Sequence, residues 1–370
     1  MKVVFRADAS LQMGTGHVMR CLTLADALTA GGASCEFICR IHPGNLLGLI
    51  RSKGYTAHEL AVSPDLSGPG VSRCDKESGE QSPAHGHWLG ASQSEDAAAC
   101  ALILAELQPD WLIVDHYSLD ARWEQALKPH YRKLMVIDDL ADRPHACDLL
   151  LDQTFGRQIE DYRAWVPRDC KLLCGSQYAL LRPEFAAQRS YSLQRRVKPQ
   201  LRQLLITMGG ADKDNATGRV LDALRDSPLP TDCQIVVVMG TTAPWLGQIK
   251  QQALSMPWPT QVLVGVSDMA RLMADSDLAI GAAGATSWER CCLGLPTIML
   301  IVAENQLKVA EGLERAGAAV LLINGRTSDQ LSKLLALFLI EKNKLRSMSE
   351  ASSAVADGKG LNLTLKAMEM

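Results

Sequence analysis

No stretch of this chain approaches the ~20 apolar residues that a membrane-spanning helix needs. The opening run Met1-Lys2-Val3-Val4-Phe5-Arg6-Ala7-Asp8 meets charge almost at once. It is too short for the apolar region of a secretory signal, and no small-residue cleavage site follows it. A charge of one sign is also lacking. The formal net charge is -3 and the pI is near 6.3, so nothing electrostatic points to nucleic acid as a partner. Eleven cysteines are present, yet the spacings Cys35-x3-Cys39 and Cys170-x3-Cys174 do not form paired zinc knuckles. Scattered through strand-like and helix-like segments, they read as reduced thiols. These absences lead to the expectation of a cytoplasmic protein with a small-molecule partner, no membrane, no metal and no cofactor.

What is present is 370 residues, 47% hydrophobic and 21% charged, a globular composition long enough for two domains. Lys2–Ala7 reads as a strand, Gly14-Thr15-Gly16 as a loop, and about His17 to Ala30 as a helix. Ser34–Cys39 then reads as a strand and Leu46–Lys53 as a helix. Trp111–Asp115, Leu134–Asp138 and Leu149–Leu151 are further apolar runs, two of them ending in an acid. Residues 63–94 turn to Gly, Ser, Pro, His and charge. They are read as an inserted polar loop, so Cys74, His85 and His87 are taken as surface residues rather than a metal site. Residues 183–202, rich in Arg and Gln, read as a linker. The rhythm then restarts with Gln203–Met208, a helix from about Asn215, and strands at Gln234–Met239, Gln261–Val264, Leu278–Ile280 and Thr297–Ile301. The expected fold is therefore α/β, with two Rossmann-like domains, residues 1–182 and 203–370, and a cleft between them.

Ligands of such sheets bind at the carboxyl ends of the strands. At the first such end the chain reads Asp8-Ala-Ser-Leu-Gln-Met-Gly-Thr-Gly-His17. Gly14 and Gly16 allow the loop to pass close to a ligand. His17 falls in the first turn of the next helix, whose positive end disfavours imidazolium and leaves a neutral base. A cap or phosphate contact is the plainer reading of that histidine. Cys21, one turn on, reads as a buried thiol rather than a nucleophile. Asp138-Asp139 reads as a strand end capping the next helix rather than a metal pair. In the second half, Gly281-Ala-Ala-Gly-Ala285-Thr286-Ser287-Trp-Glu289 runs from a strand through a small-residue loop into a helix, a setting suited to a diphosphate. A carboxylate at Glu289 can accept both hydroxyls of a ribose. Gly209-Gly210 is a second glycine turn suited to phosphate, and backbone groups near Val264 can read the edge of a base.

These pieces resemble a known family. The second half is similar to the UDP-binding domain of the glycosyltransferase-B superfamily, which includes the lipid II-forming GlcNAc transferase. The whole chain resembles the UDP-2,4-diacetamido-2,4,6-trideoxy-β-L-altropyranose hydrolase family of pseudaminic acid synthesis, which serves flagellin glycosylation. The stretches that carry the likeness are Arg6-Ala7-Asp8, Gly14–Arg20, Asp115-His116-Tyr117 and Asp138–Arg143. In the second half they are Met208–Asp212, Gly281–Glu289 and Glu304-Asn305-Gln306. The resemblance implies metal-independent hydrolysis at the sugar C1, with His17 activating water, Glu289 holding the ribose and Asn305 touching the substrate. Asp8, Tyr117 and Arg143 are expected to orient the sugar, C1 to be inverted, and the protein to be a monomer. The insertion after Ser63 departs from a compact member of the family. Two rivals stay open: a UDP-sugar glycosyltransferase and a non-catalytic nucleotide-sugar binding module. A dinucleotide enzyme fits less well, because Gly-Thr-Gly-His is not Gly-x-Gly-x-x-Gly.

Overall fold

Short runs of β-branched and aliphatic residues form strands here because helices cover both faces of each sheet, which removes the need for a polar face. The computed structural model describes residues 1–63, 83–210, 212–241, 243–303, 306–322 and 327–369. The first sheet contains β1 (Lys2–Ala7), β2 (Ser34–Arg40), β3 (Thr56–Leu60), β4 (Trp111–Asp115), β5 (Lys133–Ile137), β6 (Leu149–Asp152) and β7 (Lys171–Cys174). All its pairs are parallel, in the order β3-β2-β1-β4-β5-β6-β7. Alternate residues feed opposite faces. Phe5 joins Phe37, Ile113, Val18 and Leu22 on one side, while Val4 joins Ile38, Leu112, Leu104 and Trp123 on the other. Each such large side chain contributes about 1.5–3 kcal/mol by leaving water.

The second sheet contains β8 (Gln203–Thr207), β9 (Gln234–Met239), β10 (Thr260–Val264), β11 (Leu278–Ala282), β12 (Thr297–Leu300) and β13 (Ala319–Leu322). It too is parallel throughout, in the order β10-β9-β8-β11-β12-β13.

The chain divides into two compact units, Met1–Leu180 with Leu361–Met370, and Leu181–Gly360. Two expected boundaries are corrected by this division. Residues read as a linker form a helix, Pro183–Arg196, inside the second unit. Pro183 occupies the first helical turn, where its missing N–H is harmless, and the Arg and Gln that follow are good helix formers. Arg195 pairs with Asp277 at 2.7 Å, and the Tyr191 hydroxyl donates to Asp275 at 2.7 Å. At the other end, the last helix, Gly360–Ala367, belongs to the first unit from Leu361 onward, with Leu361 and Met368 in its core. Its apolar stripe carries it there, and Lys133 meets Glu369 at 3.1 Å beside it.

The strands β3, β7 and β13 were not anticipated. Within residues 63–94, those from 83 onward are ordered: a turn at Gly86–Trp88 precedes the helix Gln93–Leu107. Ser92 and Glu95 close that helix with a reciprocal capping box. Cys74 lies outside the described residues. Among the described residues, no helix is long and apolar enough to cross a membrane.

Candidate functional site

In each sheet the strand order reverses direction once, between β1 and β4 and between β8 and β11. Loops leaving adjacent strands part at such a point and open a crevice at the carboxyl ends. The four loops concerned begin at Asp8, His116, Met208 and Ala283, and all four carry residues singled out by sequence.

In the first unit, parallel pairing sets Ala7 beside Asp115. The loop after β1 closes on itself through Gly14 N–H to Ser10 O at 2.8 Å, with Gly14 at φ 79°. This places His17 as the second residue of the helix Gly16–Ala30, with Arg20 one turn further on the same face. Both side chains turn to Asp115. His17 Nδ1 lies 2.5 Å from Asp115 Oδ1, and Arg20 holds the carboxylate with Nε at 2.6 Å and Nη2 at 2.7 Å. Arg20 Nη1 reaches Asp139 Oδ2 at 2.7 Å, to which the Tyr117 hydroxyl also donates at 2.8 Å. The Tyr117 ring returns edge-on to His17, with centroids 4.5 Å apart. Five side chains thus form a closed circuit.

The electrostatics of this circuit set the tautomer that the neutral His17 ring adopts. Burial pushes the Asp115 carboxyl up, but Arg20 and His17 outweigh it and hold the group well below the usual carboxylate range. An ionised Asp115 accepts only, so Nδ1 is the donor and the lone pair of neutral His17 sits on Nε2. Among the described residues Nε2 has no hydrogen-bond partner. Burial, then Asp139, drives the Tyr117 hydroxyl well above its ordinary value, so it remains a donor. The Cys21 thiol, 3.7 Å from Asp115, is likewise pushed up by burial and by that carboxylate, which agrees with an inert buried thiol.

Asp8 and Arg143 are placed differently from expectation. Asp8 is fully buried, and its Oδ1 accepts from Arg6 Nη1 and from the Arg40 N–H, both at 2.6 Å. Its Oδ2 lies 3.1 Å from His116 Nε2. Arg143 is 5% exposed and spends its guanidinium on Leu119 O at 2.8 Å, Asp138 at 2.8 Å and Asp142 at 3.0 Å. Both side chains are buried against protein partners, an arrangement that suits support beneath the site rather than contact with a sugar. Asp138 caps a turn rather than a helix, through the N–H groups of Leu140 at 3.2 Å and Ala141 at 2.9 Å. His85 and Trp88, read as part of a surface loop, pack with centroids 4.3 Å apart. They stand 5.6 and 6.0 Å from the Tyr117 ring. Sequence reading assigned no role to Asp115, Arg20 or Trp88, and took Asp139 for a helix cap where it instead accepts from Arg20 and Tyr117. Asp115 and Arg20 were visible only as members of the quoted motifs.

In the second unit, Gly209 stands at φ 91° and, like Gly210, is exposed after β8. After β11, Ala285 is exposed, Thr286 half-buried and Ser287 buried, opening the helix Thr286–Cys292. The Ser287 hydroxyl is already engaged by Arg290 Nη2 at 3.1 Å. Glu289 is partly exposed, its carboxyl pushed up by burial against the pull of Arg182, 3.7 Å away. Val264 ends β10 half-buried, just before Gly265 at φ 64°. Asn305 lies outside the described residues.

The two parallel α/β units, each with these loops at its switch point, have the architecture of the glycosyltransferase-B fold. Residues 203–361 match the glycosyltransferase family 28 C-terminal domain. The chain is 26% identical over 321 residues to the UDP-2,4-diacetamido-2,4,6-trideoxy-beta-L-altropyranose hydrolase of Campylobacter jejuni, covering 86% of this chain and 98% of that one. In fold it is similar to Acinetobacter baumannii MurG, with a TM-score of 0.69, 15% identity and coverage of 100% and 99% of the two chains. It is also similar to Anabaena Alr3699/HepE, solved in complex with UDP, at a TM-score of 0.56, 13% identity and full coverage of both chains.

Proposed function

We propose that this protein is a nucleotide-sugar-processing enzyme, and specifically a hydrolase of a UDP-linked 2,4-diacetamido-2,4,6-trideoxy sugar. It releases UDP and the free 2,4-diacetamido-2,4,6-trideoxy-L-altrose on the route to a nonulosonic acid of the pseudaminic class. The observation that carries the reading is the His17–Asp115 pair: an ionised carboxylate on Nδ1 leaves the Nε2 lone pair ready to take a proton. Water attacks C1 as the bond from C1 to the UDP oxygen breaks, and the water proton passes to Nε2. Attack from the face opposite the leaving group inverts C1. General-base help of this kind is worth about 10²–10⁴-fold.

The loops of the second unit are assigned the UDP moiety. Gly209, Gly210, Ala285, Thr286 and Ser287 approach the diphosphate, Glu289 takes the ribose hydroxyls, and Val264 lies along the base. Gly14 and Gly16 give the first-unit loop its close approach to the ligand, and Asn305 is assigned to the substrate. Tyr117 contacts the sugar through its ring edge and orients it. Asp8 and Arg143 act through His116 and the loops they brace. The relative in Campylobacter jejuni that is named a hydrolase, matched over 98% of its own length, supports this reading.

Transfer to an acceptor is the second reading, favoured by the family 28 domain match and the likeness to MurG. The deciding experiment incubates the protein with UDP-2,4-diacetamido sugars and no acceptor, in oxygen-18 water, and follows products by NMR and mass spectrometry. Free sugar carrying the label at C1 is expected. Label in phosphate overturns attack at C1, and turnover only on adding an acceptor establishes transfer instead.

A further inference from the structure

Six arginines are buried among the described residues: Arg6, Arg20, Arg40, Arg143, Arg196 and Arg290. A buried guanidinium has to be neutralised, since moving a lone charge from water into protein is costly. Four of the six are neutralised by carboxylates: Arg6 by Asp8 and Asp96, Arg20 by Asp115 and Asp139, Arg40 by Asp96, and Arg143 by Asp138. Arg196 has no acid but spends every nitrogen on the carbonyls of Met273, Ser276 and Leu293. These lie at the C-terminal ends of two helices, where the backbone carries partial negative charge.

Arg290 has neither solution. It is fully buried, and the adjacent Glu289 carboxyl acts on it only from beyond ion-pair distance among the described residues. It has a single carbonyl, Ala282 O at 2.7 Å, and two hydroxyls, Ser287 Oγ at 3.1 Å and Thr286 Oγ1 at 3.3 Å. Its Nε is buried with no partner among the described residues. Burial draws the group down to about 10, which still leaves it charged at neutral pH. Space has been kept for it: a Cβ on Gly281 would fall 2.5 Å from Nη1. The three partners flank the loop that follows β11, Ala282 ending the strand and Thr286 and Ser287 opening the next helix, so the charge lies directly behind that loop.

We propose that Arg290 is the positioning residue of the diphosphate site, shaping the 282–287 loop and holding there a positive charge that only a bound nucleoside diphosphate neutralises. The inference rests on the proposed function for its ligand, and it adds the residue that discriminates a diphosphate from an uncharged nucleoside. Arg290 does not touch the ligand. It acts through the Thr286 and Ser287 hydroxyls and through the field it leaves unbalanced.

The test titrates wild type, Arg290→Met and Arg290→Lys with UDP and, separately, with uridine, by calorimetry, and melts each protein without ligand. Wild type is expected to prefer UDP to uridine. Arg290→Met is expected to lose about tenfold or more in UDP affinity, the equivalent of a single moderate electrostatic contact, with uridine affinity unchanged. Its unliganded melting temperature is expected to be no lower than wild type, because an unpaired buried charge has been removed. Equal loss of UDP and uridine, or loss of neither, overturns the proposal and leaves the proposed function standing. Should Arg290→Met fail to fold, Arg290→Lys carries the test. Retained preference for UDP supports the charge argument, and loss of that preference in a folded protein overturns it. A wild type that binds neither compound overturns the proposed function itself.

Discussion

Asp115→Asn is the perturbation that probes the proposed chemistry most directly. The substitution keeps the shape of the side chain and removes its charge. In the native circuit Asp115 Oδ1 stands 2.5 Å from His17 Nδ1, and that carboxylate dictates which ring nitrogen carries the proton. An amide has no such preference, so the imidazole is free to present Nε2–H to the water it should deprotonate. The loss expected is that of a disabled general base, about 10²–10⁴-fold in kcat, or roughly 3–5 kcal/mol of barrier. KM is expected to stay near wild type, because Asp115 is buried beneath His17 and does not reach substrate. Breaking a buried ion pair costs about 3–5 kcal/mol of stability in general. The lower end is expected here, since Arg20 keeps Asp139 at 2.7 Å. Release of UDP is followed continuously in a coupled assay for wild type, Asp115→Asn, His17→Ala and the double variant, each first shown to be folded by its melting curve. Groups that act as one unit are not additive, so the double variant is expected to be no slower than His17→Ala alone. An Asp115→Asn protein that is folded and turns over within about threefold of wild type would refute the orientation argument. So would a double variant whose losses simply multiply.

His17→Ala is expected to lose turnover by about 10²–10⁴-fold while UDP affinity, measured by calorimetry, is retained; unchanged turnover sinks the base assignment. Tyr117→Phe removes the hydroxyl that donates to Asp139, and a net loss of about 1 kcal/mol in a melt is expected. Because that hydroxyl is engaged inside the protein, KM is expected to stay put, and a KM raised tenfold or more would place it on the substrate instead. Asp96 accepts from Arg6, Arg40 and Trp123, and although burial opposes ionisation, Arg6 and Arg40 draw its carboxyl down to about 2. A lowered folded-state value gives stability that is present above the ordinary carboxylate range and lost as pH falls toward 2. Urea melts across pH 2–5 are expected to show that loss in wild type, and a shallower slope in a folded Asp96→Asn. Gly240→Ala would drive a Cβ into the carbonyl of Gly210. A loss of about 1–3 kcal/mol is expected from the overpacking, together with weakened UDP binding as the Gly209–Gly210 turn shifts.

Most strands of both sheets were legible because buried parallel strands are apolar runs, and Gln234–Met239 and Trp111–Asp115 fall where the pattern puts them. The strands that escaped notice are weakly marked. Thr56–Leu60 contains His58 and Glu59, and Lys171–Cys174 is a four-residue edge strand. The helix at Pro183–Arg196 was misread for a different reason: Arg and Gln suit a solvated linker as well as a helix, and only tertiary partners decide. Arg196, expected to be solvated, is buried on three carbonyls up to 97 residues away.

The candidate base was visible as a residue type in a recognisable loop, but its state was not. His17 and Asp115 are 98 residues apart, and what joins them is the pairing of β1 with β4, with Ala7 level with Asp115. A sequence pattern cannot supply that adjacency, because the order of strands is set by the crossovers between them. Nor does the pattern fix the register, and a slip of one residue would turn Asp115 to the opposite face of the sheet. The same limit explains why Asp8 and Arg143 were assigned to the sugar. Strand-end acids and arginines look alike in sequence whether they face a ligand or one another. At this edge Asp8, Asp115 and Asp138 each lie within ion-pair distance of an arginine. The informative residue is then the one whose charge or lone pair has no protein partner. In the circuit around Asp115 that is His17 at Nε2, and behind the loop after β11 it is Arg290 at Nε.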